Sequence, residues 1–133
     1  MNNEKDNVYD LVEDFYAHDE GWNTLLRQEY AEGFLRMEAW KGKKNSDLYR
    51  SWDNLTMLCL YLGSAETFLG DMNADDFIDC IAWCGRNISE FTPDYKNTQD
   101  FLETCDGLFK YLKGKNAISN DTVPGTAAEI LLQ

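Results

Sequence analysis

Apolar residues recur along this chain at the three- and four-residue spacing of amphipathic helices, and no segment alternates apolar and polar residues as a strand does. Val8, Leu11, Val12 and Phe15 line one face opposite Asp10, Glu13 and Asp14, which predicts a short first helix closing near Gly21. A second helix is expected over about Trp22 to Trp40, with a stripe of Trp22, Leu25, Leu26, Tyr30, Phe34 and Met37. Glu29 and Gly33 sit inside that stripe.

After the polar connection Lys41 to Asn45, Ser46 stands where an N-cap would open a third helix. Its face is Leu48, Trp52, Leu55, Cys59 and Leu62, and Gly63 is the expected stop. The run MLCLYL, Met57 to Leu62, is apolar all round, as in a helix covered on several sides. A fourth helix starts on a capping box, Asn73 with Asp76, and a hydrophobic staple, Met72 with Phe77. Phe77, Ile81, Cys84 and Ile88 form its buried stripe, and Trp83 points away from it. Thr92 and Pro93 read as N-cap and first residue of a fifth helix. That helix keeps Thr98, Phe101, Leu102, Cys105, Leu108, Phe109 and Leu112 on one face until Gly114. The expected fold is all-α, about five helices in a small orthogonal or bundle-like single domain over residues 1–118. Residues 119–133 read as a linker followed by the start of a further helix, with Thr126 and Glu129 in capping-box spacing. That start reads either as the beginning of more chain in a longer protein or as a terminal stub packed on the domain.

Composition narrows the function classes. A chain of 133 residues with 44% apolar residues has material for a core and does not read as disordered. There is no apolar run of about 20 residues to span a membrane, and MNNEKDNVYD does not read as a signal peptide. Net charge is −12, and the first 20 residues hold seven acids against the single base Lys5. Such a surface keeps the chain soluble and repels nucleic acid and anionic lipid. Bases gather at Lys41, Lys43, Lys44 and Arg50, and again at Lys110, Lys113 and Lys115, so local phosphate contact stays open while the overall balance disfavours it.

Cys59, Cys80, Cys84 and Cys105 contain no CxxC pair; three fall on apolar faces, which suggests reduced core thiols of a cytoplasmic protein. A tetrathiolate zinc site is the alternative, with Cys80 and Cys84 sharing a helical face, but the spacing is not that of a zinc finger. Neither GxGxxG nor GxxxxGK[ST] is present, so no cofactor is implied. DMNADDFID, with Asp71, Asp75, Asp76 and Asp79, lacks the glycine and terminal glutamate of a calcium loop. His18, the one histidine, lies in an acidic stretch with no nucleophile marked beside it. Glu29, a carboxylate in an apolar stripe, needs a partner such as Arg36 or Arg50. These readings favour a non-enzymatic interaction module with a protein partner, contacted through the off-stripe aromatics Trp83, Tyr61 and Tyr111.

One resemblance sharpens an alternative. YRSWDNLTMLCLYLG, then LGDMNADDFIDCI, then TQDFLETCDGLFKYLKGKNAISND follow the order of signals in a known domain. From about Ser46 to Asp121 the chain resembles the SAM-like N-terminal, core-binding domain of tyrosine recombinases (phage integrases). Leu108, Phe109, Tyr111, Leu112 and Ile118 carry most of it, and Asn120-Asp121 replaces that family's Asn-Pro linker. The resemblance implies a helical DNA clamp, with Lys41, Lys43, Lys44, Lys110, Lys113 and Lys115 as its phosphate contacts.

Overall fold

The computed structural model describes residues 7–19 and 21–133, so Glu4, Lys5, Asp6 and Glu20 of the acidic N-terminal stretch lie outside the described residues. The described residues form seven α-helices and no strand. They are α1 (Val8–His18), α2 (Trp22–Leu25), α3 (Gln28–Trp40), α4 (Asn45–Ala65), α5 (Ala74–Asn87), α6 (Tyr95–Gly114) and α7 (Val123–Leu131). The all-α expectation stands, with seven helices in place of five.

One of the extra helices comes from a break that the periodicity did not show. Leu26 and Arg27 are extended, so the stretch expected as one helix is α2 and then α3. The turn is held by the Leu26 amide donating to the Trp22 carbonyl and the Gln28 amide donating to Asn23 Oδ1 at 2.9 Å. Leu26 is buried, and its carbonyl accepts the Tyr16 hydroxyl. The break also rotates the following face. α3 buries Ala31, Phe34 and Leu35, and Glu29 swings out to water in an ion pair with Arg27, not with Arg36 or Arg50.

α4 is the hub, packing against α1, α2, α3, α5 and α6. Its expected face is buried, and Leu58, Cys59, Tyr61 and Leu62 bury its second half nearly all round. Its ends differ from expectation. Lys44 precedes the first turn and Ser46 makes no cap, while the helix runs past Gly63 to Ala65 and ends on Glu66 at φ 54°. Gly63 stays helical, with α2 in ordinary contact range: a Cβ there would lie 3.8 Å from Leu25 and 3.9 Å from Trp22.

α5 opens on the expected capping box, Asn73 and Asp76 each accepting the other's backbone amide at 2.9 Å. α6 is capped by Asp94, which accepts the Asn97 amide at 2.8 Å, two residues beyond the expected Thr92. Pro93 stands before the helix and packs on Gly85 of α5, where a Cβ would come within 2.8 Å of the proline ring. The whole expected α6 face, Thr98 to Leu112, is buried. The segment read as linker contains the start of α7, which packs on α5 and α6 with Ala127 fully buried. Its first turn carries Pro124, so Thr126 and Glu129 lie inside the helix and form no capping box.

Candidate functional site

The three aromatics expected to meet a partner are occupied within the chain. Tyr61 on α4 is only 7% exposed and meets the half-buried Trp83 of α5 edge-on at 5.9 Å. Tyr111 on α6 lies against α3, with its ring 6.3 Å from Phe34 and directly over Gly33. Pairs of this kind contribute about 0.5–1.5 kcal/mol beyond burial, which ties these rings to helix packing.

The lysines divide. Lys43 pairs with Glu38 at 2.7 Å, Lys110 with Asp106 at 2.7 Å, and Lys113 with Asp121 at 3.8 Å. Lys41, Lys44 and Lys115 have no ion pair within 4 Å among the described residues. Beside the first two stands Trp40, which pattern reading left as a helix end. At 88% exposed it is the most solvent-accessible large apolar side chain of the described residues.

Burial extends to all four cysteines, including Cys80, which periodicity had set off the apolar face. Burial pushes Cys59 up to about 12 and raises Cys105 as well. The neighbouring Cys84 thiol and burial raise Cys80 in the same direction. No three His, Cys, Asp or Glu side chains among the described residues are arranged to hold a metal. His18 ends α1 in full solvent, its Nδ1 2.8 Å from the Asp14 carbonyl, an acceptor that raises its pKa by favouring the charged ring.

The most built concave site lies elsewhere, where α4 meets α6. On α4, Arg50, Asp53, Asn54, Met57 and Leu60 follow one another at helical spacing along one face. On α6, Asn97 and Asp100 face them, and the α5–α6 connection closes the end with Ile88, Glu90 and Phe91. The groove between them has a volume of about 460 Å³, within the range of ligand-binding clefts. Met57 and Phe91 are buried in its floor, and Leu60 remains 37% exposed at its rim.

Asn54 organises the polar side. It is 4% exposed, and its amide nitrogen donates to Asp100 Oδ2 at 3.1 Å and to Thr104 Oγ1 at 2.9 Å. Thr104 in turn donates to the Asp100 carbonyl at 3.1 Å, so its oxygen is free to accept from Asn54. This arrangement sets the amide's orientation, because a carboxylate only accepts. Both amide protons are then used, and Asn54 Oδ1 accepts no hydrogen bond from a described residue. Asp53, Glu90 and Asp100 have no cation within 4 Å among the described residues, and neither does Arg50 an anion. Partial burial raises the Asp53 carboxyl above the ordinary carboxylate range. A second, more open groove of about 590 Å³ separates α6 from α7, but its Lys110 and Asp106 satisfy each other.

Sequence reasoning missed this site. The one signal it offered was Met57 and Leu60, apolar residues beside the polar Arg50, Asp53 and Asn54 on the side of the central helix away from its main apolar stripe. Compared with known proteins, the chain matches no protein-family model, and no curated protein or solved structure is significantly similar to it.

Proposed function

We propose that the chain is a helical interaction module that docks a partner protein, and that docking uses the α4–α6 groove. The observation that carries this is the groove itself: a cleft with an apolar floor of Met57 and Phe91, set between two packed helices and rimmed by exposed Leu60. Partner-binding surfaces combine such an apolar centre with a polar rim. The lining supports recognition chemistry, since it holds neither histidine nor cysteine and its one hydroxyl, Thr56, donates to the Trp52 carbonyl of its own helix at 2.9 Å. The aromatic surface expected at Trp83, Tyr61 and Tyr111 gives way in this proposal to Leu60, Ile88 and the groove floor.

A photo-crosslinking residue placed at Leu60, with one at exposed Leu11 as control, tests the proposal. The protein captured from Leu60 alone is identified, purified and titrated against the chain. Leu60→Asp is expected to weaken that complex at least about tenfold, roughly 1.4 kcal/mol. Equal capture from Leu11, or a reconstituted complex indifferent to Leu60→Asp, would remove the groove from the proposal.

A DNA clamp is the second reading, supported by the exposed Trp40 just ahead in the chain of two lysines that lack a carboxylate partner among the described residues, Lys41 and Lys44. Stacking aromatics beside bases are the elements that grip nucleic acid.

A further inference from the structure

We infer that the α4–α6 groove takes a basic side chain, arginine or lysine, presented by the partner between apolar residues. The inference rests on the docking reading above and names the chemistry of the docked segment. Apart from Arg50 at the rim, the charged groups of the groove are carboxylates: Asp53, Glu90 and Asp100. To them the fold adds Asn54 Oδ1, a nearly buried acceptor whose own amide protons are already spent on Asp100 and Thr104. An apolar segment seated there would strip water from these acceptors and return nothing, which is costly for a carboxylate and for a buried amide oxygen alike. A guanidinium or ammonium donates to several of them at once and compensates the charge.

The apolar part of the groove fits the rest of such a side chain. Met57, Phe91 and Ile88 form a wall along which the methylene stem of arginine or lysine packs while its charged head reaches the carboxylates. Asp53, raised by partial burial and lacking a cation, is the carboxylate whose charge the ligand would most relieve. The whole surface adds to this, because a net charge of −12 draws a basic segment toward the chain from solution. Arg50 is the internal competitor, lying one turn before Asp53 on the same helix face. It sets the sign of the test. A basic ligand gains or is unaffected when Arg50 is removed, whereas a carboxylate or phosphate ligand would lose its only cation in the groove.

The probe is the capped peptide Gly-Ser-Leu-Arg-Leu-Ser-Gly, with a twin in which citrulline replaces arginine by a neutral urea of the same shape. Two-dimensional NMR of the labelled full chain follows the Asn54 side-chain amide during titration. The arginine peptide is expected to saturate that shift below about 1 mM, with the citrulline twin at least about tenfold weaker. Asp53→Asn, a solvent-reachable residue with no hydrogen bond to lose, is expected to cost at least about tenfold, and Arg50→Ala to leave affinity equal or tighter. Equal binding of the two peptides, indifference to Asp53→Asn, loss of binding in Arg50→Ala, or no saturation of the Asn54 signal would each overturn the inference. The docking reading fails separately. If the complex captured through Leu60 is broken by Leu60→Asp but ignores Asp53→Asn and added salt, docking stands and the basic side chain does not.

Discussion

Replacing Gly33 by alanine tests the packing of α3 on α6 through the sign of a stability change. In the middle of an exposed helix, Gly→Ala gains about 1 kcal/mol, because glycine loses more backbone freedom on folding. At Gly33 the space is taken: a Cβ there would lie 2.9 Å from Tyr111 Cζ, with the phenolic oxygen closer still. That oxygen is the end of a rigid ring, not of a flexible chain, and the ring is held edge-on to Phe34. Overpacking of this kind costs about 1–3 kcal/mol. Set against the propensity gain, Gly33→Ala should destabilise by up to about 2 kcal/mol, a fall of as much as roughly 8 °C for a domain of this size. Urea unfolding followed by circular dichroism measures it, with Tyr111→Ala as the second background. Without the ring no other atom lies closer than 3.7 Å to the added Cβ, and the same Gly33→Ala change should then stabilise by up to about 1 kcal/mol. Tyr111→Phe keeps Cζ in place and should rescue only part of the loss. Stabilisation by Gly33→Ala in the otherwise natural chain would mean that Tyr111 does not lie over α3. The packing of α3 on α6 would then need redrawing.

Four further outcomes are expected. Leu108→Ala should cost about 2–5 kcal/mol and Phe109→Ala about 3–5, since both are fully buried and Phe109 meets Phe77 edge-on at 5.5 Å; losses under about 0.5 for both would deny that α6 faces the core. In the native state all four thiols should react with a thiol reagent only at the rate of opening, so rapid stoichiometric labelling would contradict their burial. The His18 ring should titrate above its ordinary value of 6.5, read from its proton resonances; because the folded pKa is raised, its contribution to stability is full below the unfolded pKa and is lost as pH rises through the folded one. An NMR midpoint at or below 6.5 would deny the Asp14 contact. A labelled DNA duplex should show no binding at physiological salt, because Lys43, Lys110 and Lys113 already pair with carboxylates on a chain of charge −12. Micromolar affinity, with a salt slope that falls in Lys41→Ala and Lys44→Ala, would move the clamp reading to first place.

The sequence by itself determined the helical class, the faces of α4 and α6, and the capping box that opens α5. Each is written within a few residues: spacing sets which side chains share a face, and Asn73 needs only Asp76 to close its turn. Tertiary structure decided the rest. Glu29 falls in an apolar stripe because a helix period runs on through Leu26 and Arg27; in the fold the chain is extended there, Leu26 is buried against Tyr16, ten residues earlier, and the carboxylate faces water. Gly63 has the residue type of a helix stop, yet the helix runs on to Ala65 and the left-handed cap falls on Glu66. Pro93 has the residue type of a helix start, yet it packs on Gly85 and leaves capping to Asp94. Off-stripe aromatics read as surface until α4 meets α5 and α6 meets α3. The groove is the furthest from legibility. Asn54, Asp100 and Thr104 are separated by 46 and 50 positions along the chain, and nothing local says that one amide satisfies both partners and leaves its oxygen facing no donor. Such a site exists only once helix packing has brought distant polar groups together, because a hydrogen bond depends on distance in space and not on position in the chain.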